Sequence, residues 1–412
     1  MDAGGNTDLR AADLQAGELI DERADEHLDT TRLEPYLRER LQGVEGPLSV
    51  RQFGGGKANL TYLLRFTPTP PSPAGGGGSE EERFTPTPPS PAGGGGSGRG
   101  HFGASASEPP EFVLRRPPLG PIPPGAHDMA REHRVLSVLH RRYPLAPRSF
   151  LFCDDPGVIG AIFVVLERRH GFVIRDDIPA PFAGRPDLNR HIGLALVDAL
   201  ADLHRVKPGE VGLDSLGRPE GFMARQLEGW TRRWQASLGG PDAAAAEAAM
   251  APALDWLRRA VPQPPAASLI HNDFRLDNCL LDPDDPAHIV AVLDWDMCTR
   301  GDPLSDLGYV LNYWVEPGDG PQWRAIAAMP TWRDGFPSRA EAIDRYAART
   351  GFAVHDIAWY QVFAAFKLAV IIQQIYIRYW RGQTRDERFR TYPARVAGLA
   401  DKARLLAGLR QK

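Results

Sequence analysis

The period of the apolar positions changes near the middle of the chain. In the N-terminal part they come in short runs at residues 48–53 and 59–64, separated by Gly54-Gly55-Gly56, a pattern that predicts a strand–turn–strand hairpin. Two more runs, 111–115 and 161–167, predict further strands. Helical spacing interrupts them at 31–42, where Leu33, Tyr36, Leu37 and Leu41 line one face, and at 126–140. Beyond residue 190 the spacing becomes helical almost throughout. Ile192, Leu196, Ala199, Leu200 and Leu203 form a core-facing stripe, and helices are predicted at 191–204, 223–238, 243–260, 303–315, 338–350 and 355–380. Strands followed by helices predict an α+β chain with a small β-rich lobe and a larger, mainly helical one.

Low-complexity stretches set the boundaries. Residues 1–30 are polar and acidic and read as a flexible leader, residues 31–167 as the first lobe, and residues 168–412 as the second, with a hinge at 168–171. Residues 65–79 read RFTPTPPSPAGGGGS, and 83–97 repeat those letters without change. Such a Pro/Gly/Ser duplication cannot bury a core, so 67–110 is expected to be a disordered insertion between two strands of the first lobe.

Bulk composition narrows the functions. A formal net charge of −4, with 48 basic against 52 acidic residues, gives no general attraction to nucleic acid or anionic membrane. The three cysteines, Cys153, Cys279 and Cys298, have neither metal-ligand nor disulfide spacing, which fits a reducing, cytoplasmic compartment. The most membrane-like stretch, 363–380, is broken by Lys367, Gln373, Gln374 and Arg378 and is expected to be a packed helix.

The chemistry concentrates in residues 271–296. His271-Asn272-Asp273-Phe274-Arg275-Leu276-Asp277-Asn278 is an H-x-D-x-x-x-x-N sequence. After it come Leu280-Leu281, a polar turn, and the run 289–293 ending in Asp294-Trp295-Asp296. Phosphoryl transfer needs a carboxylate at the attacking hydroxyl and oxygen ligands for Mg²⁺ on the nucleotide phosphates. Asp273 is placed for the first task, Asn278 and Asp294 for the second. Arg275 is placed to offset charge on the moving phosphoryl group. A plain acidic hairpin would use the same Asp and Asn residues only for turns, but it would not require the second Asp at a strand end. In the first lobe, the Gly54–Gly56 turn and Asn59 are candidates to cover phosphates. Arg115 on the strand at 111–115 would bind them, with Glu132 on the next helix orienting it. Glu167, at the strand end before the hinge, is a candidate on the nucleobase side. His204 reads as a structural histidine closing a packed helix, and Asp306 as a buttress of the catalytic loop.

These residues carry a resemblance. The segments FGGGKANLTYLL (53–64), FVLRRPPLGPIPPGAHDMAREHRVL (112–136), LADLHRV (200–206), HNDFRLDNCLL (271–281) and VLDWDMCTRGDPLSDLGY (292–309) resemble the aminoglycoside phosphotransferase superfamily. They look most like its branch containing the N-terminal kinase domains of acyl-CoA dehydrogenase family members 10 and 11. The resemblance spans roughly residues 48–380. It implies a bilobal protein-kinase-like fold, ATP, Mg²⁺ and a small hydroxyl substrate, a hydroxyacyl-CoA above all. The chain departs from the family pattern at Asn272, where Gly is usual, and at Arg115, which stands where kinases have Lys. Arg225, Arg232 and Arg233, with Trp230 and Trp234, are candidates for a CoA-binding surface, and a solvated helix with buried tryptophans would read the same. An aminoglycoside acceptor, another small-molecule acceptor, and a non-catalytic nucleotide-binding role are the alternatives.

Overall fold

A computed structural model of the chain describes residues 19–54, 59–67, 110–120 and 127–409. The first lobe is an antiparallel sheet of six strands: β1 (Leu19–Ile20), β2 (Leu48–Phe53), β3 (Leu60–Phe66), β4 (Glu111–Arg116), β5 (Ser149–Cys153) and β6 (Phe163–Glu167), in the order β1-β2-β3-β4-β6-β5. Helix α1 (Thr30–Arg40) starts at Asp29, whose carboxylate accepts the Thr31 N–H at 2.9 Å. Helix α2 (Met129–Leu139) starts in the same way at Asp128. Strand alternation sorts the side chains to two faces. Leu114, Phe163 and Val165 join Leu33 and Leu37 of α1 in one core, whereas Val164 and Leu166 face α2 and the core of the second lobe.

The second lobe holds α3 (Pro186–Arg205), α4 (Phe222–Ser237), α5 (Ala243–Arg259), α6 (Pro303–Tyr313), the single turn α7 (Pro321–Arg324), α8 (Arg339–Thr350), α9 (Ile357–Trp380) and α10 (Tyr392–Leu406). Two small antiparallel pairs carry the loops: β7 (Ser268–Ile270) with β10 (Thr299–Gly301), and β8 (Cys279–Leu281) with β9 (Ile289–Val292). Helix α9 is long and apolar enough to cross a membrane, but 78% of its most apolar window is buried inside the protein. Helix α6 can lie close against it because residue 308 is glycine. A Cβ there would come within 2.7 Å of the Tyr360 Cβ and 2.8 Å of its carbonyl oxygen.

The bilobal α+β architecture is the one the apolar pattern predicts. Three expectations need correction or qualification. The leader does not run free to residue 30: Leu19–Ile20 pairs with β2, and Leu28 is fully buried. The helix expected at 126–140 begins only at Met129. The repeat, apart from its first residues, lies outside the described residues, but its flanks are informative. Phe66 N–H donates to the Pro110 carbonyl at 3.2 Å, and Arg65 pairs with Glu111 in the β3–β4 register. The insertion therefore leaves and re-enters at adjacent strand ends. The opposite ends of these strands, Leu60 and Arg116, lie toward the cleft between the lobes.

Candidate active site

Between the lobes lies a cleft of about 520 Å³. Its walls include Asn59, Arg115, Glu132, Glu167, Asp273, Arg275, Asn278 and Asp294, so the predicted residues that the structure describes converge on one space, apart from Gly54. Gly54 begins the turn after β2, and its carbonyl accepts from Arg23 at 3.4 Å. Gly55 and Gly56 lie outside the described residues.

The catalytic loop is anchored from three sides. Asp302 caps α6 and accepts the Leu304 N–H at 3.0 Å, which sets Asp306 in the first turn of that helix. The Asp306 carboxylate accepts the N–H of His271 at 2.6 Å and of Asn272 at 2.8 Å. Burial alone would raise its pKa, but hydrogen bonding and charge from His204 and His271 outweigh it and hold the group below the usual carboxylate range. His204, in turn, is 2.6 Å from the Tyr346 hydroxyl and 3.3 Å from Asp306, inside the lobe, as its structural reading requires. The second anchor is His271, whose Nε2–H donates to the Leu293 carbonyl at 2.8 Å and whose Nδ1 accepts the Asp273 N–H at 3.3 Å. The third is the Leu293 N–H, which donates to the Asn278 carbonyl at 2.8 Å. These bonds fix the Asp273 loop and the Asp294 strand end relative to each other.

Asp273 sits where they meet. Its Oδ1 accepts from the Tyr309 hydroxyl at 2.8 Å, and its Oδ2 accepts from the Asn278 amide at 2.9 Å. Arg275 Nε lies 3.3 Å from Asp273 and 2.9 Å from Asp277, and its guanidinium lies over the Tyr313 ring at 5.6 Å. Burial pushes Asp277 up to about 6, with Arg275 pulling it back and the Asp273 charge adding to the rise.

On the opposite wall, Arg115 joins the lobes. It hydrogen-bonds the fully buried Glu132 and also donates to Asp294 Oδ1 at 2.6 Å. Burial works against the Arg115 cation, but these carboxylates outweigh it and raise its pKa. Burial likewise pushes Glu132 up to about 7 against the pull of Arg115. Asp294 goes the other way: the Arg115 guanidinium outweighs burial and holds it low. Arg116 points to the other face of the sheet, toward the Ile159 carbonyl at 3.2 Å.

One assignment changes, and a second is qualified. The N–H of Glu167 donates to the Arg148 carbonyl at 2.8 Å, and its carboxylate accepts from Arg148 N at 2.9 Å and pairs with Arg169 at 3.1 Å. Both groups therefore have partners in the first lobe and the hinge, while the residue itself lines the cleft. Trp234 is fully buried and cannot offer surface to a ligand. Of the arginines near it, Arg225 donates to the Glu220 and Arg218 carbonyls and Arg232 pairs with Glu228, while Arg233 lies over the exposed side of Trp230 at 4.5 Å.

The sequence reading missed several participants. Tyr309 closes the 292–309 segment, and α6 aims its hydroxyl at Asp273. Asp296 is tied to the first lobe through Asn59 Nδ2 at 3.4 Å, while Asn59 Oδ1 lies 2.8 Å from His127 Nδ1. Arg168, in the hinge at 168–171, lies 5.0 Å over the Phe53 ring at the cleft rim. These are tertiary contacts with no local sequence period to reveal them.

A family model, that of the phosphotransferase enzyme family, matches residues 91–360. The chain belongs to this family. Among its relatives, acyl-CoA dehydrogenase family member 11 of Rattus norvegicus is 33% identical over 371 residues, covering 87% of this chain and 41% of that protein. The chain spans 28–44% of the length of the acyl-CoA dehydrogenase family relatives it matches. A Ralstonia eutropha protein provisionally described as an aminoglycoside phosphotransferase superposes with a TM-score of 0.70 at 27% identity, over 94% of this chain and all of that one. The GDP complex of wild-type aminoglycoside 2'-phosphotransferase-IIIa shares the fold, with a TM-score of 0.52 at 11% identity over 91% of this chain and 99% of the other. The member described here therefore combines the phosphotransferase family's sequence pattern with a kinase-like fold.

Proposed function

We propose that this phosphotransferase moves the γ-phosphoryl group of ATP, with Mg²⁺, onto a hydroxyl of a small molecule, and that the acceptor is a hydroxyacyl-CoA. One observation supports the chemistry above all. Asp273 is held by Tyr309 and Asn278 across a cleft from Arg115 and Asp294. The Asn278 amide nitrogen is engaged with Asp273, which directs its side-chain oxygen to ligand duty, and one Asp294 oxygen is taken by Arg115. Hard oxygen donors from two residues, without an all-protein cage, suit Mg²⁺ completed by phosphate and water. Asn278 and Asp294 would hold Mg²⁺, which would offset the negative charge of the nucleotide phosphates there.

Asp273 then orients the acceptor hydroxyl and takes its proton as the oxygen attacks phosphorus and ADP leaves. Arg275 sits beside it to balance charge, and Arg115, fixed by Glu132, holds phosphate oxygens. The acyl-CoA assignment rests on the kinship with acyl-CoA dehydrogenase family members and on Arg233, the arginine of the α4 surface that no carboxylate or carbonyl ties down among the described residues. Three buried free thiols suit a reducing, cytoplasmic compartment. ADP release, measured with Mg·ATP against a panel of hydroxyacyl-CoAs and aminoglycosides, tests the assignment. The expected result is turnover with a hydroxyacyl-CoA that EDTA abolishes. Turnover only with an aminoglycoside would refute the acceptor, and no turnover with any acceptor would refute the enzyme.

A further inference from the structure

Lys367 lies beside Tyr309, in a pocket next to the cleft that holds Asp273. It projects from α9 into a small pocket shared with Met223, Asn272, Asp306, Tyr309 and Phe363. Its Nζ lies 4.9 Å over the Tyr309 ring, and Tyr309 is the residue whose hydroxyl holds Asp273. The same Nζ lies 5.6 Å from the centre of the Trp230 ring, and the Arg233 guanidinium lies over that ring too. Among the described residues, Lys367 makes no hydrogen bond and no ion pair with a carboxylate.

A cation in such a place is costly. Desolvation lowers the Lys367 pKa, with the Asp306 and Asp273 charges working in the other direction. The two aromatic faces offset part of the cost by cation–π attraction, but they supply no acceptor oxygen to the half-buried ammonium. A methionine or leucine would fill the volume more cheaply. The lysine therefore reads as a ligand-binding group waiting for an oxygen. Its place behind Tyr309 puts that oxygen within one small molecule's length of the hydroxyl at Asp273.

We propose that Lys367 is an acceptor-recognition residue, which binds a carbonyl or carboxylate oxygen of the substrate close to its reacting hydroxyl. Trp230 and Arg233 continue the path from this point toward solvent. The inference deepens the phosphotransferase reading and rests on it. It also explains discrimination: a polycationic acceptor would meet an unpaired ammonium, and a plain alcohol would leave that ammonium unsatisfied.

Binding separates this inference from the reading beneath it. A hydroxyacyl-CoA, the free hydroxycarboxylate and the matching diol are titrated calorimetrically into wild type, K367M and K367R, and a non-hydrolysable ATP analogue is titrated separately. Wild type is expected to bind the first two, or one of them, and to reject the diol. K367M is expected to lose roughly ten- to a hundredfold in affinity for them, the scale of one charged hydrogen bond, with analogue affinity held. Its melting temperature is expected to stay level or rise, because a half-buried cation with no carboxylate partner among the described residues has been removed. K367R, which keeps the charge, is expected to recover part of the affinity. Equal binding of the diol by wild type, or unchanged acceptor affinity in K367M, overturns the role of Lys367 while leaving the phosphotransferase reading intact. A fall in melting temperature with unchanged acceptor affinity assigns Lys367 to packing and overturns the inference equally. Loss of analogue binding by wild type refutes the underlying reading instead.

Discussion

Asn272 and Asp294 adopt left-handed backbone, with φ of 70° and 67°, and His127 does so at 55°. Among the described residues these are the non-glycine positions with positive φ, and all three lie at the site. Such a conformation costs about 1–2 kcal/mol for most L-residues and less for Asn and Asp. That accounts for position 272, where the family pattern favours Gly. Asn tolerates the conformation, and its side-chain amide recovers energy by donating to the Met297 carbonyl at 2.9 Å. Residue identity made this position legible as a departure, but only the backbone gave the reason. Arg115 was legible too, because strand alternation separates it from Arg116. Arg115→Ala is expected to raise the KM for ATP ten- to a hundredfold, the effect of about 1.5–3 kcal/mol. It should also lower the melting temperature, since Glu132 is left buried without its partner. Arg115→Met combined with Glu132→Met should restore the melting temperature and leave the KM high. Steady-state kinetics on both, with Arg116→Ala as control, decides the matter: a silent Arg115→Ala and a damaging Arg116→Ala would reverse the register.

At the scale of elements, legibility followed the strength of the local pattern. Strands β2, β3, β4 and β6 and helices α3 to α6, α8 and α9 carry clear periods and were predicted to within a few residues. Strand β5 is an edge strand with Phe150 exposed and a register irregularity, so its alternation is weak. Helix α10 hides behind Pro393 and Gly398, and it is ordered by packing on α9. That packing buries Lys402, whose Nζ donates to the Asn312 carbonyl and lies 4.0 Å over the Trp323 ring. Burial, with the nearby Arg339 charge, lowers its pKa to about 7 from an ordinary 10.5. Between those values the folded protein binds fewer protons than the unfolded chain, so this group makes stability rise with pH. Thermal melts at pH 7 and pH 9 should differ by a positive increment that Lys402→Met removes. An increment that survives the substitution would show that Lys402 keeps its proton in the folded state.

For the whole molecule, the two lobes share a hydrophobic core through α2, and polar groups of the site join them across the cleft. Arg115 reaches Asp294, Asn59 reaches Asp296, and Arg131 reaches the Asp296 carbonyl at 3.2 Å. The catalytic loop was readable because its residues are close in sequence. The cluster of Tyr309, Trp230 and Lys367 was readable only at Trp230, because the three come from helices far apart in the chain. In the proposed reaction Asp273 acts on the acceptor while the Arg115–Asp294 wall holds the nucleotide. The direct test is one variant measured two ways. Asp273→Asn keeps the shape of the side chain and removes its basicity. Its affinity for Mg·ATP should match wild type, and kcat with the acceptor should fall by roughly 10²-fold or more, the scale of a lost general base. Wild-type kcat in Asp273→Asn would contradict the claim.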